Sequence, residues 1–234
     1  MQYTTGSPCL LTMVRYFLAE PTADIWTDAE LKEYINRGYL HIVAQTDYIE
    51  EIAIATAGDG QQFYSLPTNC IKPLILQYDD DADDDYDTLK YCSFKEIYRI
   101  AGDDLWTKED TPKRWFIWRQ QIGLEPIPDT TVTDAQKLIY VKRPTELSAS
   151  TDSPDIPDQF QDGIIFYAAK QACIKARRFD DLVYFDAEYQ RVVRAMKAFM
   201  SRKSKDKVHQ VRKYGNEIDG YVSGILRNKD DVIS

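Results

Sequence analysis

The chain reads as an α+β protein: a helical bundle of two N-terminal and two C-terminal helices, an inserted small antiparallel β-domain, and an extended C-terminal arm. Three observations predict this. Apolar residues recur at helical spacing over residues 10–43 and again over 160–200. From about residue 49 the period shortens to that of strands, with Gly and Pro marking the joints. Past residue 204 the apolar residues thin out among charges and glycines. The expected parts are the N-terminal helices at 1–48, the β-rich insertion at 49–150, the C-terminal helical hairpin at 151–204 and the arm at 205–234.

The first helix carries Leu10, Leu11, Val14, Phe17 and Leu18 on one face. Ser7 followed by Pro8 reads as its N-cap and first helical residue, and Pro21 as its stop. The second helix opens at Trp26-Thr27-Asp28-Ala29-Glu30-Leu31. Thr27 and Glu30 form a capping box, each side chain reaching the other's free backbone N–H, with Trp26 and Leu31 at the hydrophobic-staple positions. Leu31, Ile35, Gly38, Tyr39, Ile42 and Val43 make its apolar face.

Strands follow at Ile52–Thr56, Phe63–Pro67 and Ile71–Tyr78, the last at an edge or bulge because of Pro73. Ala57-Gly58-Asp59-Gly60 is a turn. A short helix is expected over Ser93–Ile100. The strongest strand signals are Trp115–Trp118 and Leu138–Val141, with Leu124–Pro128 read as the link between them. Residues 145–158 form a polar linker. Helix returns near Pro157 or Asp158, with Phe160, Ile164, Ile165, Ala168, Ala172 and Cys173 on one face. The last helix starts near Asp180 or Asp181, and Leu182, Phe185, Tyr189, Val192, Val193, Met196, Phe199 and Met200 form its amphipathic stripe. The short break at Arg178–Asp180 makes the pair an antiparallel hairpin.

Composition limits the function. A net charge of −9 disfavours sequence-independent DNA binding, which needs a basic stripe. Such a surface suits a wall that DNA slides past. With mean hydropathy −0.47 and no apolar run near 18 residues, no membrane span is expected. The N-terminus lacks a basic n-region, so no signal peptide is expected. Cys9, Cys70, Cys92 and Cys173 are far apart, without a CxxC pair, and read as free thiols of a reducing compartment.

The run Asp79, Asp80, Asp81, Asp83, Asp84, Asp85 and Asp87 fails the calcium-loop pattern, because Gly and Glu are missing at the sixth and twelfth positions. It reads as a solvated loop, with a channel- or partner-facing role open to it. No phosphate loop follows Gly58-Asp59-Gly60 and no nucleophile motif surrounds any serine, so neither a catalytic nor a cofactor site is expected. Trp106, Trp115, Phe116 and Trp118 read as β-domain core or as an exposed partner patch. In the tail, SRKSKDKVHQVRKY carries six Lys or Arg against one Asp. Lys203, Lys205, Arg212 and Lys213 supply charge there, and Tyr214, Ile218, Tyr221, Ile225 and Leu226 supply spaced apolar anchors. That mixture predicts a segment that orders on a partner.

Three joints resemble the head-to-tail adaptor (connector) proteins of tailed bacteriophages. The first is Trp26-Thr27-Asp28 leading to Leu31, Tyr34, Ile35, Asn36, Gly38 and Tyr39. The second is Ala57-Gly58 followed by Gln62-Phe63-Tyr64-Ser65-Leu66-Pro67. The third is Pro154-Asp155-Ile156-Pro157 followed by Phe160, Gly163, Ile164, Ile165, Tyr167, Ala168 and Ala169. The resemblance spans roughly residues 8–200. It implies a non-enzymatic virion protein, assembled in the host bacterial cytoplasm into a ring, usually twelve-fold, beneath the portal. Such a ring extends the DNA channel without specific DNA binding and docks a tail or collar protein below, while the arm reaches the portal. Two other classes stay open: a metal-dependent enzyme using the Asp79–Asp87 loop, and a regulatory module with a disordered basic arm.

Overall fold

The computed structural model describes residues 1–6 and 8–201. In chain order the elements are α1 (Leu10–Leu18), α2 (Asp28–Thr46), β1 (Glu50–Ala57), β2 (Phe63–Ser65), β3 (Cys70–Tyr78), β4 (Asp87–Thr88), β5 (Lys90–Tyr91), α3 (Phe94–Ala101), β6 (Arg114–Trp118), β7 (Gln121–Glu125), β8 (Val132–Lys142), α4 (Asp162–Lys175) and α5 (179–201). Short 3-10 turns occupy Gly102–Trp106 and Asp158–Phe160. The protein is therefore α+β. Its described residues divide into two compact units, one made of Met1, Gly6–Gly38 and the described residues from Pro157 onward, the other of Gln2–Thr5 and Tyr39–Ile156.

In the helical unit, α1 starts later than Ser7-Pro8 predicts, and Ser7 itself lies outside the described residues. The cap is Cys9, whose N–H donates to Thr12 Oγ1 at 3.0 Å. The helix also ends before Pro21. Ala19 takes φ 55°, and the N–H groups of Ala19 and Glu20 turn back to the carbonyls of Tyr16 and Arg15 at 3.1 Å each. The capping box of α2 forms as expected: Thr27 N–H donates to Glu30 Oε2 at 2.9 Å and Glu30 N–H to Thr27 Oγ1 at 3.3 Å. Trp26 and Leu31 are buried, and the Trp26 indole N–H donates to the Ala172 carbonyl at 3.0 Å. Gly38 lets α2 approach α4, since a Cβ there would stand 3.1 Å from the Ile164 carbonyl and the Tyr167 ring.

Helices α4 and α5 are antiparallel. Phe160 meets Phe199, Phe166 meets Phe185 and Lys170 pairs with Asp186, so partner numbers fall as the chain climbs α4. Phe185, Tyr189, Val192, Val193 and Met196 are buried, whereas Phe199 stays 40% exposed.

The other unit holds two four-stranded sheets, ordered β1-β8-β3-β4 and β2-β7-β6-β5. Leu76, Tyr78, Trp115, Ile122, Leu124, Leu138 and Tyr140 form its main core. Trp115–Trp118 and Leu138–Val141 lie in different sheets. Two expectations are corrected here. The sheets are not wholly antiparallel, because β5 runs parallel to β6. Leu124 and Glu125 belong to a strand, β7, rather than to a link. The hairpin from β6 to β7 turns at Arg119 and Gln120, both with positive φ (49° and 61°). Tight hairpins need that geometry, and Asn or Gly normally supplies it. Arg-Gln gives no such signal.

Strand β1 places small residues where large ones are usual. Ile52 and Ile54 are more than half exposed, while Ala53 packs against the core. Ile52 pairs with Ile139, which pairs with Ile75, so one cross-strand row is entirely isoleucine. Behind β1 a cavity of about 300 Å³ is lined by Ala53, Ala55, Tyr64, Leu66, Ile122 and Leu138. A second aromatic cluster joins Phe63, Phe94, Trp106, Phe116 and Trp118. Trp115 and Phe116 are thus core, whereas Trp106 remains 41% exposed.

Candidate functional site

The acidic loop leaves β3 at Tyr78 and returns at β4. It is not uniformly solvated. Asp79 is 2% exposed, and its carboxylate organises the loop: Oδ1 accepts the N–H groups of Asp81 (3.2 Å) and Ala82 (2.9 Å), and Oδ2 that of Asp84 (2.9 Å). Ala82 and Asp84 take positive φ to present those groups. Burial pushes the Asp79 pKa up, but the backbone N–H groups outweigh it and hold the carboxyl below its usual range. Asp81 shifts the other way, raised by desolvation and then by the charges of Asp83, Asp80 and Asp79. Asp80, Asp83, Asp84 and Asp85 are exposed. Tyr86 closes the loop, donating to the Asp134 carbonyl at 2.9 Å.

Among the described residues, Asp79, Asp80 and Asp81 are the group of potential ligands close enough to share a metal ion, within 4.8 Å of one another. Both Asp79 oxygens already serve the loop's own backbone, which weakens that use. The arm residues Lys203, Lys205, Arg212, Lys213, Tyr214, Ile218, Tyr221, Ile225 and Leu226 lie outside the described residues. The cysteines are free; Cys9, Cys92 and Cys173 are buried, and burial raises the Cys173 thiol. Among the described residues, no helix is long and apolar enough to cross a membrane.

A polar knot at the α1–α2 joint escapes the sequence reading. Arg15, 7% exposed within the apolar face of α1, bonds Asp28 Oδ1 at 2.5 Å and the Trp26 carbonyl at 3.1 Å. Glu20 Oε1 accepts the N–H groups of Asp24, Ile25 and Trp26 at 2.6, 3.0 and 3.2 Å. Burial works against the Glu20 anion, but these three donors and Arg15 hold its pKa below the usual carboxylate value. An arginine standing in an apolar helical stripe is the one trace of this knot in the sequence.

Exposed apolar groups sit on both units: the isoleucine row on the β-sheet, and Tyr16, Phe179, Val183 and Tyr184 on the helices, each of these four more than half exposed. No curated protein matches the chain. The model of the SU10 adaptor protein family matches residues 10–213, running from the first residue of α1 through both units to beyond the described residues. A chain matched over nearly its whole length belongs to the SU10 adaptor protein family of phage head-to-tail adaptors.

Proposed function

We propose that the protein is a non-enzymatic component of the phage head-to-tail junction that works by ring assembly. Copies associate beneath the portal as a twelve-fold ring, extend the DNA channel and dock a tail or collar protein below. Assembly takes place in the host bacterial cytoplasm. The observation that carries this reading is the family match over residues 10–213. The exposed apolar residues on both units and the net charge of −9 support it. Packaged DNA slides past a wall of like charge without adhering. The exposed Asp80, Asp83, Asp84 and Asp85 face the channel or the tail partner in this reading, and the basic, apolar-anchored arm seats on the portal.

The test is mass measurement of the full chain alone and with the portal of the same phage. A ring, alone or templated by portal, is the expected product. A stable dimer indifferent to portal overturns the proposal. Removing residues 206–234 is expected to abolish attachment to portal while leaving the thermal transition of the protein nearly unchanged. Attachment with undiminished affinity would move the portal-binding surface to the helical unit.

A further inference from the structure

Strand β1 is the outermost strand of the sheet ordered β1-β8-β3-β4, and among the described residues no strand pairs with its far side. Lys142 N–H donates to the Ile49 carbonyl at 2.8 Å, in the register that continues as Glu50–Val141, Glu51–Tyr140 and Ile52–Ile139. Bonded residues alternate along an antiparallel pair. Ile49, Glu51, Ala53 and Ala55 therefore bond β8, and the N–H and carbonyl groups of Glu50, Ile52 and Ile54 point away from the sheet. Edges of this kind are normally blunted by lysine, proline or bulges. The open flank of β3 is blunted: Pro73 has no N–H, and the register breaks between Cys70 and Lys72 and between Pro73 and Ile75. From Glu50 to Ala55, β1 keeps an unbroken register. It contains no proline, and no Lys or Arg occurs between Arg37 and Lys72.

This edge borders a groove. Strand β2 is the edge of the other sheet, and the inner faces of both sheets share one core. The cavity of about 300 Å³ lies where the two edges meet, with Ala53 and Ala55 of β1, Tyr64 and Leu66 at β2, and Ile122 and Leu138 in its lining. A strand laid along β1 turns every second side chain toward this inner face, where the alanines leave room. A cavity of about 150 Å³ already holds benzene, so this one takes an aromatic or large aliphatic side chain. The charge at the edge has one sign. Glu50 and Asp59, at the two ends of β1, are exposed and pair with no base among the described residues.

We infer that β1 is the docking edge for a basic, extended segment of the tail or collar protein, which adds to the sheet as a further strand. The main chain of that segment bonds Glu50, Ile52 and Ile54, one of its large apolar side chains fills the groove, and its Lys or Arg residues face Glu50 and Asp59. This contact rests on the ring reading above and gives the tail-side partner its seat. A second copy of the chain does not fit the edge. Its strands β2, β4 and β5 are two or three residues long, and its β3 flank is blunted. Pairing β1 with β1 is a two-fold contact, which closes at two copies and cannot pass round a ring. It also brings Glu50 and Glu51 of both copies onto one ribbon.

The test titrates the full chain with the peptide Lys-Val-Thr-Phe-Thr-Val-Thr-Lys, read by calorimetry and by hydrogen exchange at the amides of Glu50, Ile52 and Ile54. Binding with slowed exchange at these three amides is expected. The same peptide with glutamate for both lysines should bind roughly tenfold more weakly or worse. Two variants probe the edge: Ile52→Pro removes an outward N–H but no bond to β8, and Ile54→Lys puts a charge on a side chain that is already exposed. Each is expected to weaken the peptide by roughly tenfold. Rings of either variant should form with portal but fail to take up tails of the same phage. A peptide that does not bind wild type, or that binds both variants equally well, overturns the inference while the ring reading stands; so does undiminished uptake of tails. Variants that keep the wild-type Tm but form no ring place a second copy on β1 and overturn it too. Tighter peptide binding after removal of residues 206–234 makes the chain's own arm the occupant, with the same consequence. Wild type that forms no ring, with or without portal, overturns both readings.

Discussion

Gly123 of β7 sits directly across from Phe116 of β6 and carries the Phe116 ring over its bare backbone. Substituting Gly123→Ala places a Cβ 2.6 and 2.7 Å from the Phe116 Cε2 and Cε1 atoms, and closer still to Cζ. Ordinary contact begins near 3.4 Å, so the ring must retreat by most of an ångström or more. It has nowhere to go. Phe116 is fully buried, with Phe94 5.8 Å and Phe63 6.0 Å away between ring centres. Overpacking of that kind costs about 3 kcal/mol, the top of the usual range. For a chain of this size that lowers Tm by roughly 6–12 °C. Calorimetry on the purified variant reads the shift. The offending atoms are the ring positions that leucine lacks, so the same alanine placed in a Phe116→Leu background should lower Tm by less than a third as much. Equal losses in the two backgrounds would refute the clash as the cause, leaving backbone restriction of glycine as the explanation.

Two further outcomes follow from local chemistry. The Glu30 carboxyl is pulled down to about 2, first by its hydrogen bond from Lys175 and then by the Thr27 N–H and hydroxyl. A depressed carboxylate stabilises the fold above its unfolded pKa and loses that stabilisation as pH falls toward 2. Urea unfolding of wild type against Glu30→Gln should therefore show a gap at pH 6 that closes between about pH 4.5 and 2; a gap independent of pH refutes the assignment. In the acidic loop, Asp79→Asn replaces one acceptor oxygen with a donor. It should open residues 80–86 to limited proteolysis, while the triple change Asp80→Asn, Asp83→Asn, Asp85→Asn does not. Equal protection of all these proteins would refute the role given to Asp79.

Features governed by near neighbours in the sequence were legible there. The capping box of α2 needs only Thr27 and Glu30 three residues apart, and both units of its chemistry appear in the structure. The burial of Phe185, Tyr189, Val193 and Met196 follows from spacing alone. Features set by distant parts of the chain were not. Nothing in the sequence says that β8 pairs with β1 and β3 while β7 pairs with β2 and β6. The β6–β7 hairpin hid because Arg119 and Gln120 occupy a backbone region normally flagged by glycine or asparagine. Asp79 resembles its neighbours in sequence and differs only because the returning loop aims three N–H groups at it. Glu20 was invisible for a related reason: its donors come from the turn that follows it, whose shape no pattern of residue types declares.

The chain passes between its two units after Met1, Thr5, Gly38 and Ile156. Neither unit is a single continuous stretch, and this sets a schedule at the ribosome. Helix α1 packs on α4, yet more than a hundred residues of the β-unit are made between them. At bacterial or similar rates of synthesis that interval is on the order of ten seconds. Strand pairing within residues 39–156 can be finished in that time, while the apolar faces of α1 and the first half of α2 remain without the helix that covers them. The nascent chain therefore presents a sticky amphipathic N-terminus for seconds before its cover arrives. Overexpression that crowds many such chains together should favour aggregation through α1, and slower synthesis should lengthen that exposure rather than relieve it.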